Sequence, residues 1–430
     1  MKVLLISHNP LSTYQGMGKT MMSLFSSFDK AEICQLYIYP TVPDTDMCGS
    51  YYRITDKDAL RFYQSFRVRG KEIYPDLSVH QMFENSEDEP KYRSPKNKKS
   101  SRILARDLMW KLAKWYHKEL EDWLRREAPT VIWVAPGISG FLYDIALKIS
   151  RKFSLPIVTY ICDDYYFTPA PKELWGHTRC ALLRRKIRKL IQSTSRLIVI
   201  SPELKEAYGQ RFSLPADVIM TGSTLSLACE SAEKSKPTSI SFFGNMRCDR
   251  YRSLADIGRA LDEINREKAT AYRLKIYSAE KNAEILSFFD GIESVELCGF
   301  VTGNAFDEAM SHADYLLHVE AFDEASISRV KYSVSTKIAD SLASGIPLVA
   351  YAPAQIASMH HLIKHQCALT ILHPAELKFR LTAILEDRKA GEQIVKNALA
   401  IAAKDHCAQR NSEKMREVLK NTEQKGGGRI

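Results

Sequence analysis

The sequence predicts an α/β protein of two domains, each built on a parallel sheet covered by helices. Short apolar segments alternate with helical patterns along almost the whole chain, which indicates parallel strands joined by right-handed crossovers. The chain has 430 residues, too many for one typical domain, and its 45% hydrophobic content is sufficient for two cores.

The limits of the two domains follow from changes in composition. Residues 1–228 are predicted to form the N-terminal domain, which begins with the strand Lys2–Ser7 and contains a polar insertion at 84–101. Residues 229–238 are polar and unpatterned, as expected of a linker. Residues 239–406 then restart the alternation of strands and helices and are predicted to form the C-terminal domain.

Charge and cysteine content restrict the class of protein. The formal net charge of +10 and the pI near 9.0 favour anionic partners such as nucleotides or phospholipid headgroups. Nine cysteines without a Cys-x-x-Cys pair indicate reduced thiols rather than a disulfide framework or a zinc module. No signal peptide or membrane-spanning run is recognised, so a cytoplasmic location is expected, with the inner face of the cell membrane as an open alternative.

The segment Lys331–Tyr351 reads as a polar loop, a short helix and a buried strand. Ser335 and Thr336 are suited to begin the helix, and Gly345 is suited to end it. Lys337 follows in the first turn. Because a helix N-terminus beside hydroxyls and a lysine attracts anions, a diphosphate is the expected ligand. The alternative is an ordinary α/β turn with a solvated lysine.

This segment resembles the nucleotide-sugar site of GT-B glycosyltransferases, in particular the retaining, family-4-like group. SLASGIPLVA matches the end of that site, and Asp340 stands where the group has the second Glu of a Glu-x7-Glu pair, whereas Tyr332 replaces the first. The resemblance implies that Lys337 and nearby helix amides hold the donor diphosphate and that Asp340 accepts from the ribose hydroxyls. A Ser-x-Ser-(Gly/Thr)-Lys variant of the site is matched by Ser333, Ser335, Thr336 and Lys337.

The resemblance implies a GT-B fold, in which two Rossmann-like domains face each other across a deep cleft. It also implies that residues 407–430 form a C-terminal helix returning to the N-terminal domain, followed by a frayed tail. Arg247 is the expected second phosphate ligand, and Arg250 or Arg252 is the alternative. The backbone at Phe300 and Val301 is expected to bind the base.

The ends of the predicted N-terminal strands supply the remaining candidates. Gly16 and Gly18, in the loop after the first strand, are expected to border donor or acceptor. Asp163 and Asp164 follow a strand end, where ligands gather in such sheets, and one of them is expected to contact acceptor or transferred sugar. The alternative for this pair is a helix cap or a salt bridge. His8 is the third catalytic candidate.

The resemblance implies a hexosyltransferase or related enzyme that moves a sugar from a nucleotide-diphosphate sugar to a saccharide or lipid-linked saccharide. Retention is implied by the same group, and surface polysaccharide assembly is the pathway it suggests. No cofactor or metal is expected, because a lysine, an arginine and a helix N-terminus can stabilise the leaving diphosphate. A GT-B-fold epimerase and a catalytically inactive nucleotide-sugar-binding protein stay open as alternatives. Nucleic acid is not an expected partner, since the basic residues form no recognised module.

Two basic segments leave peripheral contact with an anionic membrane open. Arg102–Arg126 is predicted to be one long amphipathic helix that carries Trp110, Trp115 and Trp123. Packing against the sheet with solvated charges is the alternative. A second, strongly basic helix is predicted at Arg179–Ile191, with Arg184, Arg185, Lys186, Arg188 and Lys189.

Histidines form one further pattern. His361 and His365 are four residues apart, the spacing of a helical metal pair. The Glu of a metalloprotease motif is missing between them, so the sequence predicts ordinary histidines of a surface or pocket.

Overall fold

The computed structural model describes residues 1–13, 16–65, 70–77, 99–225, 238–387 and 389–427. The chain divides into two compact units: unit 1 is Met1–Met220 with Gln409–Ile430, and unit 2 is Thr221–Ala408. The predicted insertion and linker lie outside the described residues, apart from 99–101 and Thr238. Among the described helices, none combines the length and hydrophobicity needed to cross a membrane.

In its described part, unit 1 contains an eight-stranded sheet with the strand order β4-β3-β2-β1-β5-β6-β7-β8. All neighbouring strands are parallel except β3 and β4. Without the edge strands β4 and β8, the order is that of a Rossmann sheet, which reverses between β1 and β5. The strands are β1 Val3–Ser7, β2 Ile33–Tyr37, β3 Ser50–Arg53, β4 Lys71–Ile73, β5 Val131–Ala135, β6 Ile157–Ile161, β7 Thr194–Val199 and β8 Ala216–Val218.

The helices of unit 1 connect these strands. A typical start is that of α7, where Ser201 accepts a hydrogen bond from the Leu204 amide and Pro202 occupies the first turn. The helices are α1 Gly16–Leu24, α2 Asp56–Ser65, α3 Ser100–Leu112, α4 Lys118–Glu127, α5 Gly140–Phe153, α6 Gly176–Gln192 and α7 Pro202–Phe212.

The prediction of one long helix over Arg102–Arg126 is wrong, since α3 ends at Leu112 and α4 begins at Lys118. Between them Ala113 has extended backbone, and His117 Nε2 lies 3.0 Å from the Tyr52 hydroxyl. The connection therefore runs into the core instead of continuing along the surface. The three indoles of this region are 1%, 7% and 0% exposed, so they are not available to a membrane: Trp110, Trp115 and Trp123.

In its described part, unit 2 contains a six-stranded, all-parallel sheet with the order β11-β10-β9-β12-β13-β14, again a Rossmann order. Here the order reverses between β9 and β12. The strands are β9 Ser239–Phe243, β10 Arg273–Tyr277, β11 Val295–Gly299, β12 Tyr315–Val319, β13 Leu348–Tyr351 and β14 Leu369–Ile371.

Helices alternate with the strands of unit 2 along the chain. The sequence predicts a charged loop over residues 320–330, but Glu324–Val330 is helical because Asp323 accepts from the Ser326 amide and caps it. The helices are α8 Arg250–Lys268, α9 Ala283–Leu286, α10 Asn304–Ser311, α11 Glu324–Val330, α12 Thr336–Ala343, α13 Ala357–Lys364, α14 Leu377–Glu386 and α15 Ala390–Asp405.

The last helix, α16 (Ala408–Gly427), completes the core of unit 1. Its Met415 and Leu419 are fully buried in the same cluster as residues of β1 and α1. Arg416 also donates to both carboxylate oxygens of Glu32, at 2.8 and 2.7 Å. Unit 1 is therefore made of two stretches of chain that are separated in sequence by all of unit 2.

The chain enters and leaves unit 2 at one place. The Ser223 amide donates to the His406 carbonyl at 2.7 Å, and the Ala408 amide donates to the Ser223 carbonyl at 3.3 Å. Gly222 lies against the backbone of Ala408, where a Cβ would collide. The two crossing segments therefore form a short parallel pairing.

Candidate active site

The main donor-binding candidates lie around the switch point of the unit 2 sheet, the place where its strand order reverses. Ligands of open α/β sheets bind where the strand order reverses, outside the carboxyl ends of the strands. In unit 2 these ends are Gly244 and Asn245, after β9, and Glu320, after β12. The site described below is built on these two turns and on the first turn of α12.

Lys337 is placed at this switch point by the structure. Its ammonium lies beside Gly244, so close that a Cβ on that glycine would collide with Nζ. The ammonium is also 5.8 Å from the centre of the Phe242 ring. The absence of a side chain at Gly244 therefore makes the space that Lys337 occupies.

The helix that carries Lys337 begins as the sequence predicts, at Thr336. Ser335 is the N-cap residue, with φ −60° and ψ 128°, but its side chain makes no capping hydrogen bond. Ser333 donates its amide to the Val330 carbonyl at 2.9 Å, which closes the turn before the helix. Gly345 has φ +75° after the helix, the conformation that favours glycine. The hydroxyl of Ser335 thus makes no hydrogen bond to the backbone of the helix that it precedes.

The structure distinguishes the three candidate arginines. Arg250 makes a two-pronged ion pair with Glu320, with Nε–Oε2 and Nη2–Oε1 distances of 2.8 and 2.5 Å. Arg252 lies over the rings of Tyr251 and Phe288. Arg247 has an exposed side chain, and its amide donates to Asn245 Oδ1 at 3.1 Å. Arg252 is exposed as well but packs on aromatic rings, so Arg247 is the exposed arginine of the turn after β9.

Glu320 is a site residue that the sequence analysis missed. It is only 3% exposed, and its carbonyl accepts from the Ser253 hydroxyl at 2.9 Å. Arg250, which it pairs with, also donates to Asn245 Oδ1 at 3.1 Å. The ion pair thus connects the two turns of the switch point. Its sequence signal is an acidic residue directly after a buried strand.

Aromatic side chains lie next to the residues predicted to bind the base. Phe300 is 52% exposed and directly follows Gly299, which pairs with Tyr277 in the sheet. Tyr277 stacks on Phe243 with ring centres 4.6 Å apart and planes at 6°. Phe306 meets Phe243 edge-on at 5.1 Å. Val301 is half-buried. The rings of Phe243, Tyr277 and Phe306 were not predicted from the sequence, and they offer stacking surface beside the strand ends.

Asp340 is more deeply buried than a residue that binds a ribose on an open surface would be. It is 6% exposed, and its Oδ1 accepts from the Ser223 hydroxyl at 2.7 Å. This contact ties α12 to the segment where the chain enters unit 2. The ribose role of Asp340 stays a prediction.

His318 lies on β12 beneath the site. It is 7% exposed, and its Nε2 lies 3.3 Å from the Ser358 hydroxyl. Burial, together with the positive charges of Arg250 and Lys337, lowers the pKa of His318 to about 3. The imidazole is therefore neutral at physiological pH. The positive charge of the site comes from Lys337 and the arginines, not from His318.

Acid should destabilise the protein through His318. The unfolded chain protonates His318 near pH 6.5, and the folded chain does so only near pH 3. The stability that the neutral His318 contributes is therefore fully present above pH 6.5 and is lost as the pH falls toward 3. The slope is up to about 1.4 kcal/mol per pH unit. Urea unfolding between pH 7 and 4 should show a smaller slope for His318→Asn. The exposed His312→Asn serves as control, and an unchanged slope in the His318 variant would contradict the assignment.

In unit 1, His8 follows β1 at that sheet's own switch point. Arg106 Nη2 donates to His8 Nε2 at 3.1 Å, so Nε2 is the acceptor and the ring proton is on Nδ1, 3.4 Å from Asn9 Oδ1. Arg106 also pairs with Asp56 at 2.9 Å. Burial and Arg106 lower the pKa of His8 to about 4, against the opposing effect of Asp56. The structure thus shows a neutral His8 whose lone pair accepts from a guanidinium.

The two adjacent carboxylates after β6 have different environments. Asp163 is exposed, whereas Asp164 is 4% exposed. Asp164 accepts from backbone and side-chain donors of the following turn and from a hydroxyl of α7, namely the amides of Tyr166, Phe167 and Thr168 and the hydroxyls of Thr168 and Tyr208. Asp164 therefore holds the loop together, and Asp163 is the carboxylate presented to solvent.

The two glycines of the first loop also differ. Gly16 is exposed at the start of α1, and among the described residues no atom outside its chain neighbours and its own helix backbone lies within 4 Å of the position of a Cβ. Gly18 is buried against Pro10 and Ser12, whose backbone a Cβ would strike. Gly18 thus serves the packing of α1 onto its own loop, and Gly16 is the one with open space beside it.

Comparisons with known proteins bear on the fold. No protein-family model and no curated protein matches this sequence. Solved structures do match. Sucrose-phosphate synthase from Thermosynechococcus elongatus has a TM-score of 0.62 at 12% identity, with 98% of this chain and 99% of that chain covered. Anabaena Alr3699/HepE, solved in complex with UDP and glucose, has a TM-score of 0.61 at 13% identity, with coverage of 98% and 99%.

A further neighbour is WaaG, described as a glycosyltransferase involved in lipopolysaccharide biosynthesis. Its TM-score is 0.58 at 13% identity, with 97% of this chain and 99% of that chain covered. Each neighbour matches across both units. The fold is therefore the GT-B fold, with two Rossmann-like units, and the fold class predicted from the sequence is confirmed.

Proposed function

We propose that this protein is a glycosyltransferase that takes a sugar from a nucleotide-diphosphate sugar, with a UDP-sugar as the first donor to test. The observation that carries the proposal is the position of Lys337, which stands beside Gly244 at the switch point of a Rossmann sheet and in the first turn of a helix. A positive charge, a helix N-terminus and a turn without a side chain together suit a diphosphate. The UDP found with HepE supports the choice of base.

The chain's own residues supply charge and contact to the donor. Lys337 and Arg247 would neutralise the diphosphate as it leaves. This stabilises the negative charge that develops on the leaving group in the transition state. The stacked rings of Phe243 and Tyr277, with the backbone at Phe300, would receive the base. This donor half needs no metal ion, and retention follows the family-4-like resemblance.

The acceptor half is assigned to unit 1. Asp163 is the better of the two carboxylates for contact with acceptor or transferred sugar, because it is exposed whereas Asp164 is buried within its own loop. Gly16 leaves open space at the start of α1. We propose a saccharide or a lipid-linked saccharide as acceptor.

A basic helix supports an acceptor at an anionic membrane. Arg184 donates to the carbonyls of Tyr166 and Thr168, and Lys186 pairs with Asp144, so two of the five predicted charges are used inside unit 1. On one face of α6, spaced by helical turns, Leu182, Arg185 and Lys189 are exposed, and Trp175, the residue before the helix, is exposed as well. Apolar groups beside cations suit an anionic phospholipid surface.

Release of nucleoside diphosphate tests the proposal. The protein would be incubated with UDP-glucose, GDP-mannose, ADP-glucose and TDP-glucose, with and without an extract of glycolipids or saccharides as acceptor. Acceptor-dependent release from one donor supports a glycosyltransferase. Interconversion of the donor sugar without acceptor would instead indicate an epimerase, and binding without turnover an inactive binding protein.

Flotation with lipid vesicles tests the membrane part separately. Wild type should float with vesicles that contain an anionic phospholipid and not with neutral ones. Arg185→Gln combined with Lys189→Gln should lower the affinity for the anionic vesicles about 30-fold, since each basic residue contributes about 1 kcal/mol. Equal flotation with both kinds of vesicle, or no flotation, would overturn the membrane part and leave the donor assignment untouched.

A further inference from the structure

Unit 2 contains a cluster of potential metal ligands on α13 and at the end of α15. His361 on α13 and His365, the residue that ends it, are four apart and so share one face of the helix. Asp405 is the last residue of α15. One potential ligand atom from each of the three side chains lies within 4.8 Å of the other two. Two imidazoles and a carboxylate from two helices thus converge on one point.

A hydrogen-bond chain fixes which nitrogen of His361 carries its lone pair. His406 Nδ1 lies 3.0 Å from the Thr221 carbonyl, which can only accept, so Nδ1 carries the proton of His406. In a neutral ring, His406 Nε2 is then an acceptor. His361 Nε2 lies 3.0 Å from it and must donate. His361 therefore keeps its lone pair on Nδ1, while a hydrogen bond through the other nitrogen orients the ring, as is typical of metal-binding histidines.

We propose that His361, His365 and Asp405 bind one divalent cation of the zinc type. Imidazole nitrogens with a carboxylate oxygen are a common zinc donor set, and water would complete a tetrahedral site. Ligands about 2.1 Å from zinc stand about 3.4 Å apart in that geometry. The ligand atoms of the cluster lie within 4.8 Å of one another, at most about 1.4 Å wider than this, and rotation of the half-buried His365 and Asp405 side chains can close the difference.

The cation would have a structural role, since no residue of the cluster belongs to the proposed donor site. It would join α13 to the end of α15, directly beside His406. His406 in turn holds Thr221 with its ring and Ser223 with its carbonyl. The metal would therefore stabilise the place where the chain enters and leaves unit 2. This proposal is independent of the proposed function.

Metal titration of the full chain, stripped with EDTA and then dialysed, tests the site. Zn²⁺ should bind with one ion per chain by calorimetry, and Co²⁺ should give the visible absorption of a tetrahedral complex. His365→Ala and Asp405→Asn should each weaken Zn²⁺ binding at least tenfold. His360→Ala, an exposed histidine on the same helix, should bind as wild type does.

Thermal unfolding separates loss of the site from loss of the fold. Zn²⁺ should raise the Tm of wild type and of His360→Ala, and should leave the Tm of His365→Ala and Asp405→Asn at their values in EDTA. Lys337→Ala should keep the zinc-dependent rise, because its side chain is not in the cluster. The proposal is overturned if wild type binds no Zn²⁺ or Co²⁺, or if His365→Ala and Asp405→Asn bind as wild type does.

Discussion

Replacing Lys337 with alanine should lower the affinity for the nucleoside diphosphate about 10- to 100-fold. Hydrogen bonds to a charged group contribute about 1.5–3 kcal/mol, and about 1.4 kcal/mol corresponds to tenfold in Kd. The ammonium stands beside the turn after β9, so its removal takes charge from the centre of the proposed diphosphate site. Because charge develops on the leaving diphosphate, kcat/KM should fall more than the affinity does, by about 10²- to 10³-fold in total.

Calorimetry with UDP, GDP, ADP and TDP, with and without EDTA, measures the effect on binding. Gly244→Ala is the matched variant, because its Cβ would displace the Lys337 ammonium while the charge is kept. It should lose affinity in the same direction and by less. Lys331→Ala is the control, since that side chain is exposed and lies over the Tyr332 ring. Wild-type affinity in Lys337→Ala would sink the diphosphate assignment.

Glu320→Ala should destabilise unit 2 by about 3–5 kcal/mol. Removing one partner of a buried ion pair leaves the other charge without compensation, which is the costly half of such an interaction. Arg250 would lose both of its short contacts to this carboxylate, and Glu320 is 3% exposed. The effect is read from urea unfolding at pH 7, with Glu324→Ala as an exposed control expected within about 0.5 kcal/mol of wild type.

A double variant tests whether the loss comes from the unpaired guanidinium. Glu320→Leu with Arg250→Met removes both charges and should be more stable than Glu320→Ala, since apolar replacement of a buried pair is often close to neutral. If the double variant is less stable than the single one, the destabilisation comes from lost packing or from another contact of Glu320. The Ser253 hydroxyl bonds to the carbonyl of Glu320 and is expected to stay in place in both.

The alternation of strands and helices was sufficient to predict an α/β protein with parallel sheets because it is a local property, whereas the GT-B fold was implied by the family resemblance. Strand β1 lies within the predicted run Lys2–Ser7, β13 ends the segment Lys331–Tyr351 as predicted, and Gly345 follows α12 as expected. The interruption between α3 and α4 was not predictable in this way. Helical periodicity continues through it, and the competing contact of His117 with Tyr52 joins residues distant in sequence.

The candidate site could be predicted to the level of segments but not of side chains. The sequence places Asp163 and Asp164 at one strand end, yet only the fold shows that Asp164 is surrounded by donors of its own turn. Among the arginines, the partner of Arg250 is Glu320, which lies seventy residues away in sequence. Such choices depend on long-range pairing, and a single sequence carries no record of it.

The division of unit 1 into two stretches has a consequence during synthesis. The 188 residues from 221 to 408 must be translated before α16 can exist. At about 5–20 residues per second this delay is roughly 10 to 40 s. During that time the apolar groups that Met415 and Leu419 finally cover have no partner from α16. Unit 2, although second in sequence, is the first to be complete, and the nascent N-terminal stretch is the part that a ribosome-associated chaperone would meet unfinished.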